Sequence, residues 1–140
     1  MSILTTQVRS TLQAKEIDLV ERPVMGKIAT IQKDGSAHVV PVWFRYERGK
    51  FMICTPEKSV KARNMRRDER VSLLIDDAYE YVLVKGKAKI NDQGDIEKET
   101  ERQAVRYLGN EEGRKMLPEI LKVKHVIVEV TPEEVSSFGL

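Results

Sequence analysis

Short segments of alternating apolar and polar residues, separated by tight-turn signals, constrain the fold of this chain most strongly. The segment G-K-I-A-T-I-Q begins at Gly26 and has the period of two that is typical of a strand. Lys33-Asp34-Gly35-Ser36 then predicts a hairpin, because Asp-Gly pairs favour the turns that join neighbouring strands. A return strand at 37–46, a turn at 47–50 and an apolar strand at 51–55 complete a predicted meander.

The rest of the chain adds further strands and short helices. We predict strands at 71–75, 79–90 and 125–130, and helices at 3–15, 58–68, 96–108 and 111–121. Pro118 should bend or shorten the last helix, and Thr131-Pro132 should end the last strand. Because hairpins join most strands, we expect one domain over residues 1–140. Its fold class is mainly β (α+β), a six-stranded antiparallel split β-barrel with short flanking helices.

Composition excludes several classes of protein. The chain has 140 residues, of which 41% are hydrophobic and 33% charged, as in soluble globular domains. A formal net charge of +2 gives no general basic field for nucleic acid, and no apolar run is long enough to span a membrane. Cys54 is the single cysteine, which excludes an internal disulfide. With an N-terminus too polar for a signal peptide, these features predict a cytoplasmic location.

The stretch from Pro41 to Arg70 combines a broken strand with the start of a basic helix. Pro41 cannot donate to a sheet ladder, so it marks an edge or a bulge whose backbone groups can bond a ligand. Hydroxyl, amide and cationic side chains follow at the helix start: Thr55, Ser59, Lys61, Arg63 and Asn64. Helix N-termini bind anions, so the pattern predicts a phosphate-sized site. An open strand edge beside such a site suits a flavin nucleotide.

The basic residues of this stretch leave three interpretations open. They are Lys58, Lys61, Arg63, Arg66, Arg67 and Arg70. The first interpretation is a solvated helix face, and the second is a nucleic-acid-binding patch, although the stacking aromatic residues of such a surface are absent here. The third interpretation is a phosphate site. No nucleophile–base pair or metal-ligand spacing accompanies them, and His38, His125 and Cys54 are each read as structural. An enzyme built on this chain would therefore take its chemistry from a cofactor.

Two blocks of sequence resemble a known superfamily. G-K-I-A-T-I-Q-K-D-G-S-A-H-V-V-P-V-W-F and I-C-T-P-E-K-S-V-K-A-R-N-M-R-R-D-E-R-V-S-L-L-I are similar to the pyridoxamine 5′-phosphate oxidase-like flavin-binding split barrels, and among them to the small flavin/deazaflavin oxidoreductases. The most specific part is Ser59-Val60-Lys61 followed by Arg63-Asn64. Val60 departs from the arginine often found there, and V-V-P-V-W-F-R replaces the arginine-rich strand of pyridoxamine phosphate oxidase itself, which argues against that substrate.

The resemblance implies a homodimer with two cofactor sites along its interface. It implies that Lys61, Ser59 and either Lys58 or Arg63 hold the cofactor phosphate, with Thr55 and Asn64 close by. It also implies that the backbone of one strand bonds the ring edge, at Val39, Val40, Pro41, Val42 and Trp43. The crowded aromatic residues Trp43, Phe44 and Tyr46 are expected to pack against the second copy.

The leading function is an oxidoreductase that uses FMN or the deazaflavin coenzyme F-420 on a small molecule, with no nucleic acid and no membrane as partner. The alternative is a non-catalytic flavin- or haem-binding module. F-420 carries a polyanionic tail, and the row Arg63, Arg66, Arg67 and Arg70 offers more positive charge than one phosphate requires. This row gives F-420 the preference over FMN.

Overall fold

Seven strands and four helices make up the part of the chain described by the structure, a computed structural model that covers residues 8–140. The helices are α1 (Ala14–Val20), α2 (Val60–Arg67), α3 (Ile96–Leu108) and α4 (Asn110–Ile120). The strands are β1 (Gly26–Ile31), β2 (Ala37–Val42), β3 (Arg45–Glu47), β4 (Lys50–Pro56), β5 (Arg70–Asp77), β6 (Glu80–Asn91) and β7 (His125–Phe138).

All seven strands form one antiparallel sheet that curls into a half-barrel. Their order is β2-β1-β5-β6-β7-β4-β3, so β2 and β3 lie at opposite ends of the hydrogen-bonded ladder. Only Trp43 and Phe44 separate these two strands in sequence. The sheet must therefore curl until its two ends approach each other, and the chain itself joins them. The predicted fold class, a mainly β split barrel with flanking helices, is confirmed.

The strand count differs from the prediction for a local reason. The expected strand at 37–46 breaks at Trp43-Phe44, which turns six predicted strands into seven. The hairpin at 33–36 is confirmed, because β1 pairs with β2 in antiparallel register. The expected three-stranded meander is wrong, because β4 pairs with β3 and β7 and not with β2. Pro41 lies on the end strand β2, as its missing N–H predicts.

β7 continues past the residues that were expected to end it. Thr131 and Pro132 lie within this strand, which pairs with β6 along almost its whole length. The register shifts between Lys85 and Gly86, so one extra residue of β7, Glu133, bulges out of the ladder. A Cβ atom added at Gly86 would lie 2.1 Å from the Thr131 carbonyl oxygen, so only glycine fits here.

The helices differ from prediction mainly at their ends. The predicted helix at 3–15 is wrong over 8–13, which is not helical, and residues 1–7 lie outside the described part. α1 begins instead at Ala14, where the Glu16 side chain bonds the Gln13 N–H at 2.8 Å. Pro118 does not cut α4 short, since the helix runs on to Ile120. Asp95 caps α3 by accepting from the Lys98 N–H.

The core fills the inner face of the half-barrel. Ile28, Leu73 and Val84 lie side by side in register there, and each is fully buried. Phe44 is fully buried as well and packs against Phe51, with ring centroids 5.8 Å apart. The aromatic residues expected at a dimer surface therefore pack largely within the chain.

Candidate functional site

The start of α2 is built around Ser59. Its Oγ accepts a hydrogen bond from the Ala62 N–H at 3.2 Å and lies 3.0 Å from Thr55 Oγ1. Ser59 is therefore the N-cap, and the buried Thr55 at the end of β4 fixes its orientation. This pair sets the direction in which the first turn of α2 presents its side chains.

Lys61 lies on that first turn and is half-buried. Its ammonium has no hydrogen bond or ion pair within residues 8–140. Burial alone lowers the pKa of Lys61 from its ordinary value, because no neighbouring carboxylate opposes the cost of desolvation. A half-buried cation without a counter-charge is poised to receive an anionic or electron-rich ligand.

Lys61 lines a cavity of about 230 Å³ beside the end strand β2. Its walls come from elements far apart in sequence: Met25, Pro41, Val42, Trp43, Cys54, Lys61, Thr100, Gln103, Ile120 and His125. The structure thus brings part of the predicted ring-binding strand next to the predicted lysine. Val39 and Val40 do not line the cavity; Val39 is exposed on the outer face of the sheet, and Val40 packs against the core.

Gln103 is the most buried polar group in this wall, with 1% of its surface exposed. Its Nε2 donates to the Met52 carbonyl at 3.0 Å and to Glu99 Oε2 at 3.1 Å. Because both partners are acceptors, the amide orientation is fixed. Arg45 in turn holds Glu99 with two bonds of 2.9 and 2.7 Å. Gln103 therefore lines the cavity with its amide nitrogen already engaged by β4 and α3.

Trp43 forms the aromatic wall of the cavity. Its ring stacks on Tyr107 of α3, with centroids 5.2 Å apart and an interplanar angle of 10°. The Tyr107 hydroxyl accepts from the Phe44 N–H at 3.2 Å and lies 2.9 Å from the Val24 carbonyl, to which it donates. α3 therefore holds the short break between β2 and β3 in place.

A wider basic groove of about 810 Å³ adjoins the cavity, and His125 lines both. Its cations are Lys58, Arg63, Arg66 and Lys124. Lys124 contacts Glu57 at 2.9 Å and lowers the pKa of that carboxyl group. Arg63 and Arg66 form no ion pair in the described chain, and they leave their charge available to an anion. Lys58 and Arg63, the two alternatives for the third predicted phosphate ligand, both line this groove.

Three other residues of the predicted basic site serve the fold. Asn64 is buried, donates to Thr30 Oγ1 at 3.0 Å and accepts from Arg67 at 2.9 Å. Arg67 also bonds the Ile31 carbonyl, and Arg70 pairs with Asp68 at 2.8 Å. The basic row that favoured F-420 is therefore not continuous. Its two remaining members, Arg63 and Arg66, belong to the groove.

Two further side chains that line the cavity are Cys54 and His125. Burial raises the pKa of the Cys54 thiol to about 12, so the thiol stays protonated and forms part of the wall. His125 Nδ1 lies 2.7 Å from the Val123 carbonyl and donates to it. Residues 8–140 contain no cluster of metal-ligating side chains.

Sequence reasoning missed the contribution of the two adjacent helices α3 and α4. Thr100, Gln103 and Ile120 all line the cavity, yet none was predicted as a site residue. Gln103 follows Thr100 by three positions, on the inward side of an amphipathic helix. A glutamine on an otherwise buried helix face is the signal that could have identified it.

The fold and the cavity together identify the structural class of this protein. A curled antiparallel sheet with an end strand beside a cation-lined cleft has the architecture of a split barrel. The family model for pyridoxamine 5′-phosphate oxidase matches residues 12–139, so this chain belongs to the pyridoxamine 5′-phosphate oxidase-like family.

Solved structures support this assignment. A conserved hypothetical protein of Mycobacterium tuberculosis, Rv2991, is 29% identical, with a TM-score of 0.74 over 94% of this chain and 89% of the other. An F-420 reductase is 22% identical, with a TM-score of 0.63 over 89% and 98% of the two chains. General stress protein 26 of Bacillus anthracis is 17% identical, with a TM-score of 0.66 over 88% and 90%. The last two likenesses establish the fold alone.

Proposed function

We propose that this protein is an oxidoreductase that binds FMN or F-420 and acts on a small molecule. The observation that carries the proposal is the half-buried ammonium of Lys61, which has no partner in the described chain and lines one cavity with Pro41, Val42 and Trp43. These residues fit the cofactor, because a flat apolar wall and a free cation match a ring joined to a phosphate. The bound ring would supply electron or hydride transfer.

The chain's own residues would bind and orient the cofactor. The strand Val39–Trp43 would lie along the ring, and the start of α2, with Lys58, Ser59, Lys61 and Arg63, would hold the phosphate end. Apolar side chains such as Met25 and Ile120 would exclude water from the inner end of the cavity. Thr55 would act indirectly, through its contact with Ser59.

A second copy of the chain completes the proposed site. The cavity of about 230 Å³ is smaller than the ~300–1,000 Å³ typical of ligand pockets, so one chain encloses only part of a nucleotide. Val39 and Pro41 are exposed beside it. We place the homodimer interface on this face and not on the buried Phe44. We also propose a cytoplasmic location. Among residues 8–140, no helix is long and apolar enough to cross a membrane.

The basic groove bears on the choice between the two cofactors. FMN ends at its phosphate, whereas the F-420 tail continues as a polyanion that three cations without an ion pair in the described chain could follow: Lys58, Arg63 and Arg66. This favours F-420. Titrations of apo-protein at low and high salt test the preference, because binding of a longer polyanion is screened more strongly. F-420 should bind more tightly at low salt and lose more affinity as salt rises. Equal salt slopes would refute the preference while leaving the flavin site intact.

A non-catalytic cofactor-binding module is the second candidate. The cavity wall contains no carboxylate, and its thiol stays protonated, so the chain supplies little chemistry of its own. Absorbance and native mass spectrometry of the purified protein separate the classes. We expect a flavin or deazaflavin spectrum and two cofactors per dimer; a Soret band would identify haem instead. A bound flavin or deazaflavin that no added acceptor can reoxidise after reduction would support the non-catalytic module.

A further inference from the structure

α4 buries less of its surface than the other helices of the described chain. Gly113 is its one buried residue, and α3 is the one described element against which it packs extensively. Leu117 and Ile120 follow Gly113 on the same helix face but are only half-buried, and Met116 is 41% exposed. Helices in proteins gain most of their stability by burying an apolar face. α4 therefore gains little from its present position.

Polar contacts add little to this attachment. Within residues 8–140, no hydrogen bond or ion pair joins α4 to a strand of the sheet. One contact reaches α3, between Arg114 Nε and Glu101 Oε1 at 3.5 Å, and it is exposed, so it contributes little to stability. Pro118 has no N–H to donate to the Arg114 carbonyl, which removes one bond within the helix itself.

Gly109 alone forms the junction between α3 and α4. It is the C-cap of α3 and the N-cap of α4, with a φ of 88° and a ψ of 169°. A Cβ atom placed on Gly109 would meet no atom within 4 Å, so the positive φ, and not a lack of space, requires the glycine. A glycine without close neighbours can absorb a rotation of the helix that follows it.

The far end of α4 reaches the cavity. Ile120, the last residue of the helix, lines the cavity together with Met25 and Trp43. The chain then turns back to His125, which lines the cavity as well. With this wall in place the cavity measures about 230 Å³, below the ~300–1,000 Å³ typical of ligand pockets. An outward movement of α4 would remove one wall and enlarge the opening.

We propose that α4 is a lid, which turns about Gly109 and carries Ile120 away from the cavity to admit a ligand. α3 stays in place, because Gln103 and Tyr107 bond backbone carbonyls of β4 and of the segment before β1. Such a lid excludes water when it is closed and controls entry and release when it opens. This inference goes beyond the proposed function, because a lid serves a cofactor, a substrate or a stored ligand alike.

Cys54 reports the opening, since it is the single cysteine and lines the same cavity as Ile120. Burial raises the pKa of its thiol to about 12, so reaction with 5,5′-dithiobis(2-nitrobenzoate) requires exposure. The labelling rate is measured in wild-type protein at increasing urea, below the unfolding transition. We expect a rate that hardly changes with urea, because lid opening exposes little surface. A rate that follows global unfolding from the lowest urea upwards would overturn the proposal.

Gly113→Ala loosens the lid at its point of closest packing. A Cβ atom at Gly113 would lie 2.6 Å from the Val105 backbone nitrogen and 2.7 Å from the Ala104 carbonyl carbon, so α4 must move away from α3. We expect Cys54 labelling to become about 10-fold faster or more, without a urea slope, because the open state gains population. Lys115→Ala, on the exposed side of α4, should leave the rate unchanged. Equal rates in wild type and Gly113→Ala, or an increase with the full urea slope of unfolding, would contradict the lid.

Hydrogen exchange of the wild-type protein gives a second measurement that needs no variant. A helix of 11 residues that is released from its packing is only marginally stable in water, so its amides exchange. The amides of α4 should therefore exchange about 10-fold faster or more than those of α3, through local opening. Equal protection of the two helices would show that α4 opens only with the whole fold, and it would overturn the proposal.

Discussion

Lys61 illustrates the cost of a binding site at the scale of one residue. Its pKa is lowered because the folded chain buries the ammonium without a counter-charge, so folding disfavours the charged form. We expect Lys61→Met to raise the free energy of unfolding of the apo-protein by about 0.5–2 kcal/mol, as replacements at strained functional sites often do. Urea unfolding measures this. Lys89→Met, on the solvated face of β6, should change it by less than about 0.5 kcal/mol.

Glu16 gives a pH dependence at the same scale. Arg9 holds both carboxylate oxygens at 2.7 Å and lowers the pKa of Glu16 from 4.5 to about 2. A depressed carboxyl pKa means that this stabilisation is present above pH 4.5 and is lost as the pH falls towards 2. We expect Glu16→Gln to remove on the order of 3 kcal/mol at neutral pH and little at pH 2. A difference that does not shrink in acid would contradict this assignment.

At the scale of elements, the pairing of β6 with β7 depends on one glycine. A Cβ at Gly86 would meet three backbone atoms of Thr131 and Pro132, and backbone cannot move aside as a flexible side chain can. Gly86→Ala should therefore lower the free energy of unfolding by about 3 kcal/mol, at the upper end for overpacking. Thermal unfolding of Gly86→Ala beside Lys89→Ala, on the same strand, measures the effect. Equal stability of the two variants would show that the bulge can relax.

Elements that depend on neighbouring residues could be predicted from the sequence, whereas elements that depend on distant residues could not. The Asp34-Gly35 hairpin depends on neighbouring residues and is confirmed; the Asp95 and Ser59 caps depend on equally local contacts. The break at Trp43-Phe44 and the continuation of β7 through Pro132 depend on distant partners, Tyr107 and Gly86, so local propensity could not predict them. The cavity wall from α3 and α4 was missed for the same reason.

At the scale of the whole molecule, the uncovered face of the sheet points to assembly. Val39, Ala29 and Ser72 lie side by side in register on the outer face, and Val39 is 59% exposed. Apolar and small residues on an open sheet end favour pairing with a second copy. We expect a dimer at micromolar concentration, weakened at least 10-fold by Val39→Lys. Val123→Lys, at a similarly exposed valine in a loop, should leave it intact. Light scattering that gives a monomer for the wild type would exclude the interface model.

The most direct test of the central claim is the cofactor affinity of one pair of lysine variants. Lys61→Ala should weaken FMN and F-420 binding by about 1.5–3 kcal/mol, the range for a charge-assisted hydrogen bond. Lys89→Ala removes an equally charged but solvated lysine and should leave both affinities unchanged. Titration of the apo-proteins measures both variants under the same conditions. The account predicts a loss of roughly 10- to 150-fold for Lys61→Ala alone; equal affinities for the two variants would contradict it.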